Sequence, residues 1–171
     1  MGENSANFSP PLAGDDLDMS VRQRALSDAK ISKIYDYWLK KCDGDALPTR
    51  HAIDPVDVYD CLSMLMILEV VDGGRDFRIR LAGSVVEEAH DRTLKGVMVS
   101  DLGEGAEMKA LLERLQAVVT TRQPDFRTAS LAMMGRAFIE FDRVALPLAE
   151  DGKTVTHLLC CYAQKQREKK A

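Results

Sequence analysis

Apolar and polar positions along the chain follow two rhythms. Ile31, Ile34, Tyr35, Trp38 and Leu39 recur at the i, i+3, i+4, i+7, i+8 spacing of an amphipathic helix. Val21 and Ala25 extend that stripe toward the N-terminus, and CDGD at Cys42 to Asp45 ends it with glycine. Asp54, Pro55 and Asp57 form a helix-start signal, with Asp54 as N-cap and Pro55 at the first helical position. That helix must be short, because MLMILEVV, Met64 to Val71, already reads as a strand. After Asp72-Gly73-Gly74, the stretch DFRIRLAG alternates strictly, Phe77, Ile79 and Leu81 against Arg78 and Arg80, so the two runs predict a hairpin.

Beyond Gly83 the rhythm turns helical again. VVEEAHDR predicts a short helix and TLKGVMVSDL a loop with a helical turn. Met108, Leu111, Leu112, Leu115, Val118 and Val119 mark a longer helix, Glu107 to Thr121, stopped by Gln123-Pro124. Three strand-like runs close the chain: Phe126 to Met133, Ala137 to Leu148 and Thr154 to Ala163, the last two separated by Glu150-Asp151-Gly152. The predicted class is α+β: a five-stranded antiparallel sheet with helices inserted between strands 2 and 3, plus an N-terminal helix. Residues 1–20, with Gly, Ser, Asn and a Pro10-Pro11 pair, predict a disordered tail; 21–165 form the domain, and 166–171 a basic tail.

Composition narrows the function. A chain of 171 residues suits one domain, large enough to fold without a metal or disulfide. A formal charge of -4 and pI near 5.4 argue against a nucleic-acid partner, which favours basic stripes. No apolar run approaches the roughly 18 residues of a membrane span, and MGENSANFSPPLAG has neither region of a secretory signal. Cys42, Cys61, Cys160 and Cys161 show no CxxC spacing and read as reduced thiols of a cytoplasmic protein.

The sequence offers little catalytic chemistry. No pair among His51, His90 and His157 is spaced i, i+4 on a helix, and His157 and Cys160 fall on opposite faces of a strand, so no zinc site is expected. GxSxG and GxxxxGK[ST] are absent. Asp142 and His157 are the acid–base residues an isomerase- or cyclase-type enzyme could use. Met64, Met66, Met98, Met108, Met133 and Met134 concentrate in the sheet and inserted helices, where they either fill a core or line a deformable pocket. The arginine face of DFRIRL has three readings: an ion-pair anchor for Glu140 or Asp142, an anion-reading pocket wall, or solvated surface.

The element order, together with YDYW at Tyr35, LPTRHAIDP at Leu47, FRIRLAGS at Phe77, LKGVMVSDL at Leu94 and VALPLAEDGKTVTHLL at Val144, resembles the PAS domain. Within it the chain is similar to a branch of small stand-alone PAS-type proteins best known from alphaproteobacteria, over Ile31 to Gln164. It departs from that branch at His90-Asp91 before Arg92 and at Lys95 before Gly96, so no specific ligand or cofactor carries over. The light-sensing flavin cysteine and the haem-binding helix histidine of some PAS domains have no counterpart here. The resemblance implies a non-enzymatic sensory module of bacterial signalling, homodimeric through its N-terminal helix. It would bind a small molecule, a signalling protein, or both. A ligand would lie between sheet and helices, at Met66, Arg78, Arg80, Met98, Leu115 and His157. A ligand-free adaptor is the remaining reading.

Overall fold

A computed structural model of the chain describes residues 16–131 and 135–165. The expected tail over residues 1–15, the basic tail 166–171 and Met133-Met134 lie outside the described residues. Among the described residues, four α-helices and five strands follow in the order α1 (Asp16–Ser27), α2 (Ala29–Lys41), β1 (Leu65–Val71), β2 (Asp76–Ala82), α3 (Ser84–His90), α4 (Gly105–Thr121), β3 (Asp125–Leu131), β4 (Arg136–Leu148) and β5 (His157–Gln164). The strands form one antiparallel sheet in the order β2-β1-β5-β4-β3, with α3 and α4 inserted between β2 and β3 as the sequence predicts.

The N-terminal helix is two helices. Asp28 adopts an extended backbone, and its Oδ1 accepts from the amides of Lys30 (2.9 Å) and Ile31 (3.1 Å), which caps α2 and breaks it from α1. Helix α1 begins at Asp16, inside the stretch expected to be tail. The predicted stripe Ile31, Ile34, Tyr35 and Trp38 is buried on the molecule's own sheet. Trp38 is fully buried and its indole Nε1 donates to the carbonyl of Pro147 on β4 at 2.9 Å. Tyr35 meets Phe126 of β3 edge-on, with ring centroids 5.3 Å apart.

The helix expected from Asp54 does not form. Asp54 Oδ1 accepts from the Val56 amide at 2.9 Å, closing a turn, and a 3₁₀ helix over Tyr59–Met64 leads directly into β1. Lys30 and Lys33 of α2 both reach Asp60 of that 3₁₀ helix and tie it to the helix layer.

The β1–β2 hairpin turns through Asp72, Gly73 and Gly74, all at positive φ. Gly74 lies under Val119, where an added Cβ would meet the valine at 3.4 Å, so the end of α4 crosses the turn closely. The free edge of β2 is not left open. Ile79 exchanges backbone hydrogen bonds with Gly96 and Val97, and Asp76 accepts from the Ser100 amide and hydroxyl, so residues 94–102 are sewn along that edge.

Strand alternation and register assign the two sheet faces. One carries Met66 and Leu68, Cys160 and Tyr162, Phe141 and Arg143, and looks toward α3 and α4. The other carries Phe126, Val144 and Cys161 and is covered by α1 and α2.

Candidate functional site

A cavity of about 60 Å³ lies between the sheet and the inserted helices, room for several waters or a small ligand. Its floor is Met66 and Leu68 of β1, Phe141 and Arg143 of β4, Tyr162 of β5 and Ala129 to Leu131 of β3. Met108, Leu111 and Leu115 of α4 form its roof, which follows from their i, i+3, i+7 spacing. Val99 and Leu102 close one side from the 3₁₀ turn Val99–Leu102, and His90 closes another from the end of α3.

Almost all of that lining is apolar, so its polar groups define its chemistry. Arg143 is 2% exposed. Its Nη2 donates to Asp125 Oδ2 at 2.6 Å, while its Nε has no hydrogen-bond partner. Tyr162 stands opposite Arg143 in the β4–β5 register and packs edge-on against Phe141 at 5.8 Å. Burial pushes the Tyr162 phenol well above its ordinary 10, so the hydroxyl keeps its proton and can donate. His90 Nδ1 lies 2.8 Å from the Val86 carbonyl, one helical turn back, and donates to it. Burial lowers the His90 pKa, which favours the neutral ring and leaves Nε2 as an acceptor.

Of the six residues expected at a ligand site, the structure brings Met66 and Leu115 to this cavity. Arg78 and Arg80 lie on the other sheet face. Each stands 3.6 Å from Glu69 Oε2, the residue across the hairpin, with side chains 44% exposed against 34% for Glu69. Their expected partners are far away, because β1 and β5 separate β2 from β4. Asp142 instead accepts from Thr128 Oγ1 at 2.7 Å and pairs with Lys165, and Glu140 is exposed. Met98 forms an isolated bridge with Arg78 on the β2 edge, one residue out of phase with the cavity-lining Val99. His157 pairs with Glu69 in the β1–β5 register and so shares the arginine face, not the cavity face.

The acid–base pair Asp142 and His157 is also dismantled. In the β4–β5 register Asp142 faces Ala163 and His157 faces Leu148, so six residues of strand, roughly 20 Å, separate them. Among the described residues, no three of His, Cys, Asp and Glu gather as metal ligands. The residues that sequence reasoning missed are Arg143, Tyr162 and His90. The signal for Arg143 was a charge within the apolar parity of Ile139, Phe141 and Ala145.

A family model described as "PAS domain" matches residues 26–163, from the end of α1 to the end of β5. No curated protein matches the chain. Among solved structures, the chain is similar to the PAS domain of BvgS from Bordetella pertussis, with TM-score 0.49 and 14% identity over 64% of this chain and 81% of that one. It is also similar to a sensory box sensor histidine kinase from Vibrio cholerae, with TM-score 0.44 and 16% identity over 65% of this chain and 86% of that one.

Proposed function

We propose a function from one premise: the chain belongs to the PAS domain family. On that premise it is a sensory signalling module, and the cavity under α4 is where it takes a small, mostly apolar molecule. The observation that carries this reading is the cavity itself, open beneath Leu111 and Leu115 on the face of the sheet that α4 covers. A ligand there touches α4 and, through Phe141 and Tyr162, two central strands, so its binding can be felt on the far side of the sheet. The module has no catalytic role in this reading; its one sequence-derived acid–base pair is split along the sheet.

Finer placement is also proposed. The order and spacing of YDYW, LPTRHAIDP and FRIRLAGS support the small stand-alone branch typical of alphaproteobacteria. Four unpaired cysteines, three of them buried, suit the reducing cytoplasm. A homodimer through the N-terminal segment would use α1, where Met19 is 56% exposed, because the stripe of α2 is spent on its own sheet. Size-exclusion chromatography with light scattering tests the dimer, and a monomer at all concentrations refutes it.

Native mass spectrometry of the purified full chain, compared with the denatured mass, tests the sensor reading. A co-purified mass, or a small-molecule screen with hits that raise Tm in proportion to concentration, is expected. Neither a co-purified mass nor any stabilising compound would leave the adaptor reading in its place.

A further inference from the structure

The cavity has one end that its apolar lining does not explain. Asp125, at the start of β3, is approached by three guanidinium groups. Arg143 Nη2 lies 2.6 Å from its Oδ2, Arg114 Nη2 of α4 lies 3.7 Å from Oδ1, and Arg127 Nε of β3 lies 3.8 Å from Oδ1. Three cations less one carboxylate leave a formal charge of +2 in this cluster. The Nε of each of the three arginines is shielded from solvent and lacks a hydrogen-bond partner. Arg114 and Arg127 also reach water through their exposed ends, but Arg143 does not. A buried guanidinium with an unmatched donor is costly to maintain unless something completes its shell.

We propose that the cavity takes a small monocarboxylate, with its apolar body under α4 and its carboxylate at the Arg143–Tyr162 end. This inference rests on the sensor reading above and names the ligand class. With Nη2 given to Asp125, Arg143 offers a ligand carboxylate its unmatched Nε–H, a charge-assisted donor, and the field of Arg114 and Arg127 adds to it. Tyr162 supplies an O–H from the neighbouring strand, with Met66 Sδ, a weak acceptor at 4.0 Å, beside it. Met108, Leu111, Leu115 and Leu68 offer nothing to a second charge, which disfavours dicarboxylates, and a short-chain or aromatic monocarboxylate enters the cavity of about 60 Å³ by displacing the flexible Met66 and Met108 side chains. Asp125 takes only Nη2 of Arg143, at 2.6 Å, and is shared with Arg114 and Arg127, so it leaves the Arg143 Nε unmatched.

The test uses the full chain with hexanoate and benzoate as probes, hexanamide and hexanol as uncharged controls, and isothermal titration with methyl-detected NMR as readouts. The expected result is that hexanoate binds about tenfold or more tighter than hexanamide, the scale of one charged hydrogen bond. Shifts should centre on the Leu111, Leu115 and Met66 methyls. Arg143→Met should abolish the preference for the carboxylate. Tyr162→Phe, which keeps the ring packed on Phe141, should weaken hexanoate several-fold and hexanamide by less, since the bond to a charged acceptor is the stronger. Because the hexanoate-to-hexanamide ratio is read on the unaltered chain, misfolding of Arg143→Met does not shield the proposal. Equal binding of the two probes, or tighter binding of the uncharged ones, overturns the carboxylate inference and leaves the sensor reading standing. No shift of any cavity methyl by any probe overturns both.

Discussion

At the residue scale, arginine shows how position decides what a charge does. Arg78 and Arg80 alternate with core residues on β2, yet both share Glu69 at 3.6 Å on a half-exposed surface. Pairs of that kind contribute about 0–1 kcal/mol. Arg80→Met is therefore expected to leave the urea midpoint within the equivalent of about 1 kcal/mol, with hexanoate affinity unchanged. A loss of several times that would mean Arg80 anchors the fold. Arg143, by contrast, is sealed in and faces the cavity. Gly83 is a second case. Its φ of -73 suits any residue, so conformational freedom is not why glycine stands there. Space is: an added Cβ would sit 2.3 Å from the Leu62 carbonyl oxygen and 2.4 Å from Ser63 backbone atoms. Gly83→Ala should cost about 3 kcal/mol or more in chemical denaturation, since backbone rather than a flexible side chain must yield.

Sequence legibility at this scale had a physical limit. The partner of Arg78 was within reach, because a hairpin turning at Asp72–Gly74 sets Glu69 opposite it. Glu140 and Asp142 of β4 are out of reach, since chain order does not give strand order and two strands lie between β2 and β4. Met66 and Leu115 were legible because they lie in the sheet centre and on the buried stripe of α4. Arg143 is hidden, because a single cation in the row of Ile139, Phe141 and Ala145 reads from the sequence as an ordinary strand charge.

At the element scale, α2 is the best-specified helix and its cap is the reason for the break before it. The rhythm of the stripe already carried that signal: Ala25 to Ile31 is a gap of six, which a continuous 3.6-residue period does not produce. Asp28 satisfies two amides at once. Asp28→Ala is expected to cost about 1 kcal/mol, and Asp28→Asn far less, by thermal or urea unfolding. Equal loss in both variants would assign the effect to charge rather than capping. The strands read well because alternation survives burial of one face. The segment after Asp54 read poorly because an Asx turn and a first helical turn share the same opening residues, and only the nearness of β1 decides between them.

At the scale of the whole molecule, acid stability follows from groups on both sheet faces. Burial lowers the pKa of His90 and of His157 below the ordinary 6.5. Between those folded values and 6.5 the unfolded chain binds more protons, so stability rises with pH across that window and falls on acidification below 6.5. The urea midpoint should therefore be lower near about pH 5.5 than near about pH 7.5, and His90→Gln with His157→Gln should flatten the difference. A midpoint that rises on acidification would contradict the burial of both rings. A separate window lies lower: hydrogen bonds from Lys33 and Lys30 hold Asp60 down at about 2, so the tie between α2 and the 3₁₀ helix is full above 3.8 and is lost as pH falls toward 2.

The two halves of the molecule meet at the cavity: the sheet supplies a buried cation and a phenol, and the inserted helices supply a greasy lid. A crystal structure of the chain grown with hexanoate tests that arrangement most directly. The account predicts density between the sheet and α4, with a carboxylate oxygen within about 3 Å of the Arg143 guanidinium and the alkyl chain against Leu111 and Leu115. A cavity closed by repacked side chains, with hexanoate found only at the surface, would contradict it.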